Sequence, residues 1–245
     1  MSLVVTVILA VICFRQKRDP APDLKKLLLK LFLIGMLFPI VYVIAGVLFG
    51  DIFSFLDSEN PTFFGAVMDA FILTALKEEV GKYLILHLCT RKRTQIQYVF
   101  DFMFLTLAIA AGVSISEDIL YTLVNITKPS SVWYMRLLFP GHMSYGVFMG
   151  IHYGLSKYAG ITGDQKGKRH HLVLTLLIPT LLHGLFDFIP SILYFIAGNN
   201  ATPSQVILFW FIYGIYELIL CVSAAVLLVR CLKERKTMPL KEVSA

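Results

Sequence analysis

The chain has 245 residues, of which 57% are hydrophobic and only 16% charged, with a mean hydropathy of +0.74. Soluble domains carry about 25% charged and about 45–50% apolar residues, so this much apolar surface cannot be hidden in a globule of this size. Disordered, collagen-like and disulfide-stapled classes are excluded as well. What remains is an all-α, polytopic transmembrane helix bundle, one integral-membrane domain over residues 1–245 with almost no soluble part.

A bilayer-spanning helix needs about 20 mostly apolar residues. In chain order such runs occupy residues 1–14, 27–49, 61–89, 98–124, 133–155, 171–197 and 204–229, which predicts about seven spans. The first is the shortest, roughly 20 Å at the α-helical rise, and it lacks the leading cation and small-residue cleavage site of a signal peptide. The third is too long to stand upright and is expected to tilt, bend or protrude.

Charge placement tests this map independently. Of the 22 Lys and Arg residues, 18 lie in 15–30, 91–93, 157–169 and 230–245, which are every second connection. The alternate connections, 50–60, 125–132 and 198–203, carry one cation, Lys128, and three acids, Asp51, Asp57 and Glu59. The positive-inside rule then sets the N-terminus outside and the C-terminus, with a tail over 230–245, in the cytoplasm. The net charge of +6 is thereby explained by topology and anionic lipid, and no nucleic-acid partner is expected. Cys13, Cys89 and Cys231 fall at predicted cytoplasmic helix ends and Cys221 inside the last span, none with metal-ligand spacing.

Ionisable side chains inside apolar spans are costly, so each is a functional candidate. The densest group is Lys77-Glu78-Glu79-Val80-Gly81-Lys82. On a helix Lys82 lies three and four residues from the two glutamates and can pair with either. Two adjacent carboxylates beside one cation suit a general base poised near neutrality; a charge-rich helix end at the membrane surface is the plainer alternative. Next come Glu117 and Tyr121, four apart near the end of a span, where Tyr121 also suits an interfacial aromatic. His142 precedes a stripe of Gly146, Gly150 and Gly154, whose small residues allow close helix contact. Last, His183 and Asp187 are four apart, so Asp187 can orient the imidazole or raise its basicity; a structural pair is the alternative. Asp69, Asp101 and Glu217 show no partner in the sequence and are read as bundle-interior or boundary groups.

In this order, on four successive spans, these groups resemble the PrsW family of integral-membrane proteases, distant relatives of the CAAX-processing and bacteriocin-processing membrane proteases. The family's EExxK motif stands here as Glu78-Glu79-Val80-Gly81-Lys82, its glutamate-to-tyrosine motif as Glu117-Asp118-Ile119-Leu120-Tyr121, and its histidine motifs fall on His142 and on His183-Gly184-Leu185-Phe186-Asp187. The resemblance covers roughly residues 60–190, a catalytic core. Ser116 replaces a frequent aromatic, and Asp187 stands where Asn is often found. The resemblance implies hydrolysis of a peptide bond in a membrane-anchored protein, an anti-sigma factor for instance, in a bacterial plasma membrane. No cofactor or metal is expected. On this reading Glu78 is the base that activates water, with Glu79 and Lys82 setting its charge state. A coupled pair titrates as a unit, so either glutamate is compatible with that role. His183 and His142 polarise the scissile carbonyl, Asp187 orients His183, and Glu117 and Tyr121 support the histidines or hold the peptide backbone.

Two other classes use the same residue types. A metal-dependent membrane protease would take Glu and His as zinc ligands, although no HExxH is present. A proton-coupled transporter or channel would use them as a relay, although no inverted repeat is visible. One spacing problem stands out. A helix starting at Pro61 carries Glu78 and Glu79 about 25 Å into the membrane, whereas Glu117 and His142 fall toward the outer face. A shared site then requires the third span to start deeper, bend at Gly65, or project above the bilayer.

Overall fold

The computed structural model describes residues 22–49, 62–92, 96–125, 138–197, 202–234 and 238–240. The predicted first span, residues 1–14, lies outside them, as does Cys13. The described elements are α1 (Pro22–Phe49), α2 (Phe63–Val67), a π-helix (Met68–Leu76), α3 (Lys77–Thr90), α4 (Asp101–Asn125), α5 (Gly141–Ile161), α6 (Gln165–Ala197) and α7 (Pro203–Lys233). The molecule is an all-α membrane bundle, with helix in the described part of each predicted span from the second to the seventh. Four stretches, Leu24–Ile44, Asp101–Leu123, Gln165–Ile192 and Pro203–Lys233, are long and apolar enough to cross a bilayer. The other two predicted spans, at 61–89 and 133–155, carry the glutamate pair with its lysine and the His142 stretch.

Local sequence explains where helices begin. Thr62 caps α2 by accepting from Gly65 N at 3.0 Å, satisfying one of the amides a helix start leaves open. Thr202 and Gln205 form a capping box ahead of α7, with Pro203 at its first position, where a missing N–H costs nothing. At the start of α4, Asp101 accepts from the amides of Gln97 and Tyr98 at 3.2 and 3.3 Å. That gives Asp101 a structural role which its sequence neighbours alone did not reveal. Tyr98 also makes an isolated antiparallel bridge with Pro239, tying the segment after α7 to the approach to α4.

α4 is the centre of the bundle. Its apolar stretch is 83% buried, against 22% for α7, and it carries Thr106, Ser114, Ser116 and Glu117 in buried positions, away from lipid, where polar groups are costly. α1 packs on one side of it and α5 on the other, while α6 packs on α5 and on the π-helix. α1 turns Leu24, Leu27, Leu28 and Leu31 inward at helical spacing and leaves Leu29, Leu33 and Leu37 outward, the surface that lipid covers. The glycine stripe of α5 lies against α4. A Cβ on Gly150 would strike the Met103 backbone, and one on Gly154 would strike Val99 O. Thr106 Oγ1 donates to Gly146 O across the same contact at 2.7 Å. Between spans, where water cannot compete, close backbone approach and such hydrogen bonds hold helices together.

The stretch from Phe63 to Thr90 runs as one helical path whose middle nine residues are π-helical. A π-helix closes i→i+5 bonds, with more residues per turn and less advance per residue than an α-helix. The glutamate pair is therefore carried less far from Thr62 than α-helical counting implies. Gly65 is not a bend; its amide belongs to the capped first turn.

Candidate active site

Four helices meet around a buried polar chain. α3 supplies Glu78, Glu79 and Lys82 from its first two turns; α4 supplies Glu117, α5 His142, and α6 His183 with Asp187. Glu79 is fully buried, and its Oε1 accepts from Lys82 Nζ at 2.6 Å and from His183 Nδ1 at 2.9 Å. Lys82 Nζ also lies 3.0 Å from His142 Nδ1, and His142 Nε2 lies 2.6 Å from Glu117 Oε2. The result is a continuous line from Glu117 through His142, Lys82 and Glu79 to His183.

The chemistry of the partners assigns the protons. An ammonium only donates, so His142 Nδ1 accepts, and His142 Nε2–H donates to the Glu117 carboxylate. Likewise His183 Nδ1–H donates to Glu79. On the far edge of His183, Nε2 makes no hydrogen bond but faces Asp187 Oδ2 at 3.3 Å and Glu78 Oε2 at 3.9 Å. A lone pair facing two carboxylates is repulsive, so this spot calls for positive charge, either a proton on Nε2 or a metal ion. A lone charge at mid-membrane costs about 3 kcal/mol on insertion scales. Pairing Glu79 with Lys82 and His183, and Glu117 with His142, is what makes so polar a centre tolerable.

Glu78 differs from its neighbour. Its side chain is 14% exposed and that of Glu79 is not exposed at all. Glu79 is held by Lys82 and His183, whereas Glu78 faces the open edge of His183. Glu78, His142 and His183 each offer one ligand atom, and these atoms lie within 4.8 Å of one another. One carboxylate and two imidazoles form a donor set of the kind that holds catalytic zinc, so the residues fit a divalent ion by type. Lys82 competes for it, because its ammonium already occupies His142 Nδ1.

Seven of the eight residues singled out from the sequence fall in or against this cluster. The eighth, Tyr121, is 38% exposed one turn beyond Glu117. Sequence reasoning passed over Tyr145. Its ring stacks on His183 at 4.9 Å and 18°, meets His142 edge-on at 5.8 Å and 89°, and is buried. Its one sequence signal was the i+3 spacing from His142 on α5, which shares a helix face. Asp118 and Ser114 on α4 line a small cavity beside the two histidines. His152 packs instead against His171, ring on ring at 5.4 Å, as a separate structural pair.

Comparison with known proteins gives one consistent result. Residues 24–219 match the model of the PrsW family, described as intramembrane metalloproteases, a wider stretch than the 60–190 of the motifs. The chain is 28% identical over 186 residues to Protease PrsW of Halalkalibacterium halodurans, covering 74% of this chain and 78% of that one. It is 30% identical over 128 residues to Protease PrsW of Clostridioides difficile, covering 51% and 52% of the two chains. Against Protease PrsW of Bacillus subtilis it is 27% identical over 153 residues, covering 60% and 65%. No solved structure matches it.

Proposed function

This chain belongs to the PrsW family of intramembrane proteases, and we propose that it hydrolyses a peptide bond of a membrane-anchored protein with Glu78 as the base that activates water. One observation carries the choice of base: Glu79 is fully buried and bound by Lys82 and His183, while Glu78 is the more exposed glutamate, facing His183 Nε2. In the reaction Glu78 takes a proton from water as the water oxygen bonds to the carbonyl carbon. The carbonyl π pair moves onto oxygen, beside the positive edge of His183. On collapse the C–N bond breaks, and Glu78 returns the proton to the leaving amine. Asp187 and Glu79 fix the ring of His183 from its two sides. Both nitrogens of His142 are engaged, so it positions Lys82 between Glu117 and Glu79 and does not itself polarise the carbonyl.

The substrate we propose is a single-pass regulatory protein such as an anti-sigma factor, cut near the bilayer in a bacterial plasma membrane. Membership of a protease family sets the transporter alternative aside. A second reading keeps the same residues: Glu78, His142 and His183 would hold a divalent ion. The 4.8 Å donor cluster and the metalloprotease description of the family favour it. Such an ion would supply a Lewis acid at the carbonyl and a more acidic bound water.

The test is cleavage of a panel of peptides, each carrying one transmembrane segment, by purified protein with and without EDTA. Glu78→Gln and His183→Ala are expected to lower turnover by at least about 100-fold, the usual scale of a lost general base or its partner. Activity unchanged by EDTA supports the glutamate mechanism; activity lost to EDTA and restored by zinc supports the metal reading. Wild-type turnover in the folded Glu78→Gln protein sinks both.

A further inference from the structure

We propose that the Tyr145 hydroxyl is a further catalytic group of this site, the hydrogen-bond donor to the scissile carbonyl oxygen and to the oxyanion it becomes. The proposal rests on the hydrolytic reading above and deepens it.

Tyr145 is 2% exposed, and its Oη makes no hydrogen bond among the described residues. Its neighbours behave otherwise. Tyr213 Oη donates to Phe186 O at 3.1 Å, and Tyr216 Oη donates to Leu182 O. Buried hydroxyls are nearly always satisfied, and one that is not calls for an explanation. Tyr145 Oη also has space beside it. Its ring helps line a cavity of about 10 Å³ shared with Ser114, Asp118, Gly141, His142 and His183, room for a single oxygen-sized group. The hydroxyl lies beside Gly141, which also lines that cavity: a Cβ there would stand 3.1 Å from Oη, so glycine leaves the hydroxyl its room.

Other donors stand close by, among them the positive edge of His183 and Ser114 on the cavity wall, but Tyr145 Oη is the cavity's buried hydroxyl with no acceptor among the described residues. His142 is committed to Glu117 and Lys82, and two of the three Lys82 N–H groups to Glu79 and His142. An oxygen entering this cavity meets His142 and His183 on its walls and an O–H with nothing else to donate to. As water adds to the carbonyl carbon and the π pair moves onto oxygen, the Tyr145 O–H donates to that oxygen. Tyr145 keeps its proton throughout, because the water proton goes to Glu78 and then to the leaving amine.

The test compares wild type with Tyr145→Phe in detergent micelles, using an internally quenched peptide with one transmembrane segment that the wild type cleaves. Phe keeps the stacked ring and removes only the hydroxyl. The expected result is kcat lower by about 100–1000-fold, the range for losing one oxyanion donor, with KM little changed. The melting temperature should hold or rise, since an unsatisfied buried hydroxyl is removed. Difluorotyrosine at position 145, which retains the hydroxyl and makes it more acidic, should shift kcat without shifting KM. A structural role alone would leave kcat insensitive to phenol acidity. Wild-type kcat in both variants overturns the assignment and leaves the hydrolytic reading standing. A wild-type protein that cleaves no peptide of the panel, with or without zinc, overturns both.

Discussion

Lys82 is the residue on which the polar chain turns. Its ammonium bridges Glu79 and His142, and through them reaches His183 and Glu117. Removing one member of a buried charge pair costs about 3–5 kcal/mol, because the other charge is left without compensation. Lys82→Met is therefore expected to lower the melting temperature in detergent and to abolish peptide cleavage. Adding Glu79→Gln to that variant removes the stranded charge, so stability should return in good part while turnover stays lost. A double variant that melts as low as Lys82→Met alone would show that the pairing is not what holds this centre. At this scale the sequence was informative. The spacing of Glu79 and Lys82, and of His183 and Asp187, set pairs on one face, and those pairs are present at 2.6 and 3.3 Å. The bond from His183 to Glu79 crosses between helices 104 residues apart, and no local spacing encodes it.

At the scale of the element, the α4–α5 contact decides whether His142 reaches Glu117. The glycines of α5 bring its backbone against α4, and His142 lies one turn before them. Gly150→Leu should force the two helices apart, since overpacking a tight contact costs about 1–3 kcal/mol or more. Both melting temperature and cleavage are expected to fall. Gly214→Leu on α7, where an added Cβ meets nothing within 4 Å, is the control and should change neither. The stripe was legible because small residues four apart have one plain use in a bundle. The π-helix was not, since nothing in Met68–Leu76 marks i→i+5 bonding over i→i+4. It is nevertheless the element that eases the depth mismatch between the glutamate pair and the histidines.

For the whole molecule, the cation distribution implies an orientation that labelling can test. On a background with the native cysteines replaced by Ser, a cysteine at Lys166 should react with an impermeant maleimide only in inverted vesicles. One at Asn199 should react only in right-side-out vesicles. The opposite pattern would overturn the positive-inside assignment. With that orientation, α7, the least buried of the four long apolar helices, presents most of its surface to lipid. It closes the bundle beside α5 and α6, where Tyr213 and Tyr216 fasten it to the α6 backbone.

What the sequence determined by itself was the membrane class, the all-α architecture, the placing of the four long apolar helices and the residue types that meet in the polar cluster. All of these follow from composition, run length and spacing along one chain, because lipid demands helices with their backbone bonds satisfied internally. Only the tertiary structure decided which nitrogen of each histidine faces which carboxylate, that Glu79 is enclosed while Glu78 is the more accessible, and that Tyr145 packs against both histidines. These depend on how four helices rotate and slide against each other. That rotation is set by where the glycine stripe meets α4 and by a local change of helical pitch, and local spacing encodes neither the partner face nor the π-helical bonding.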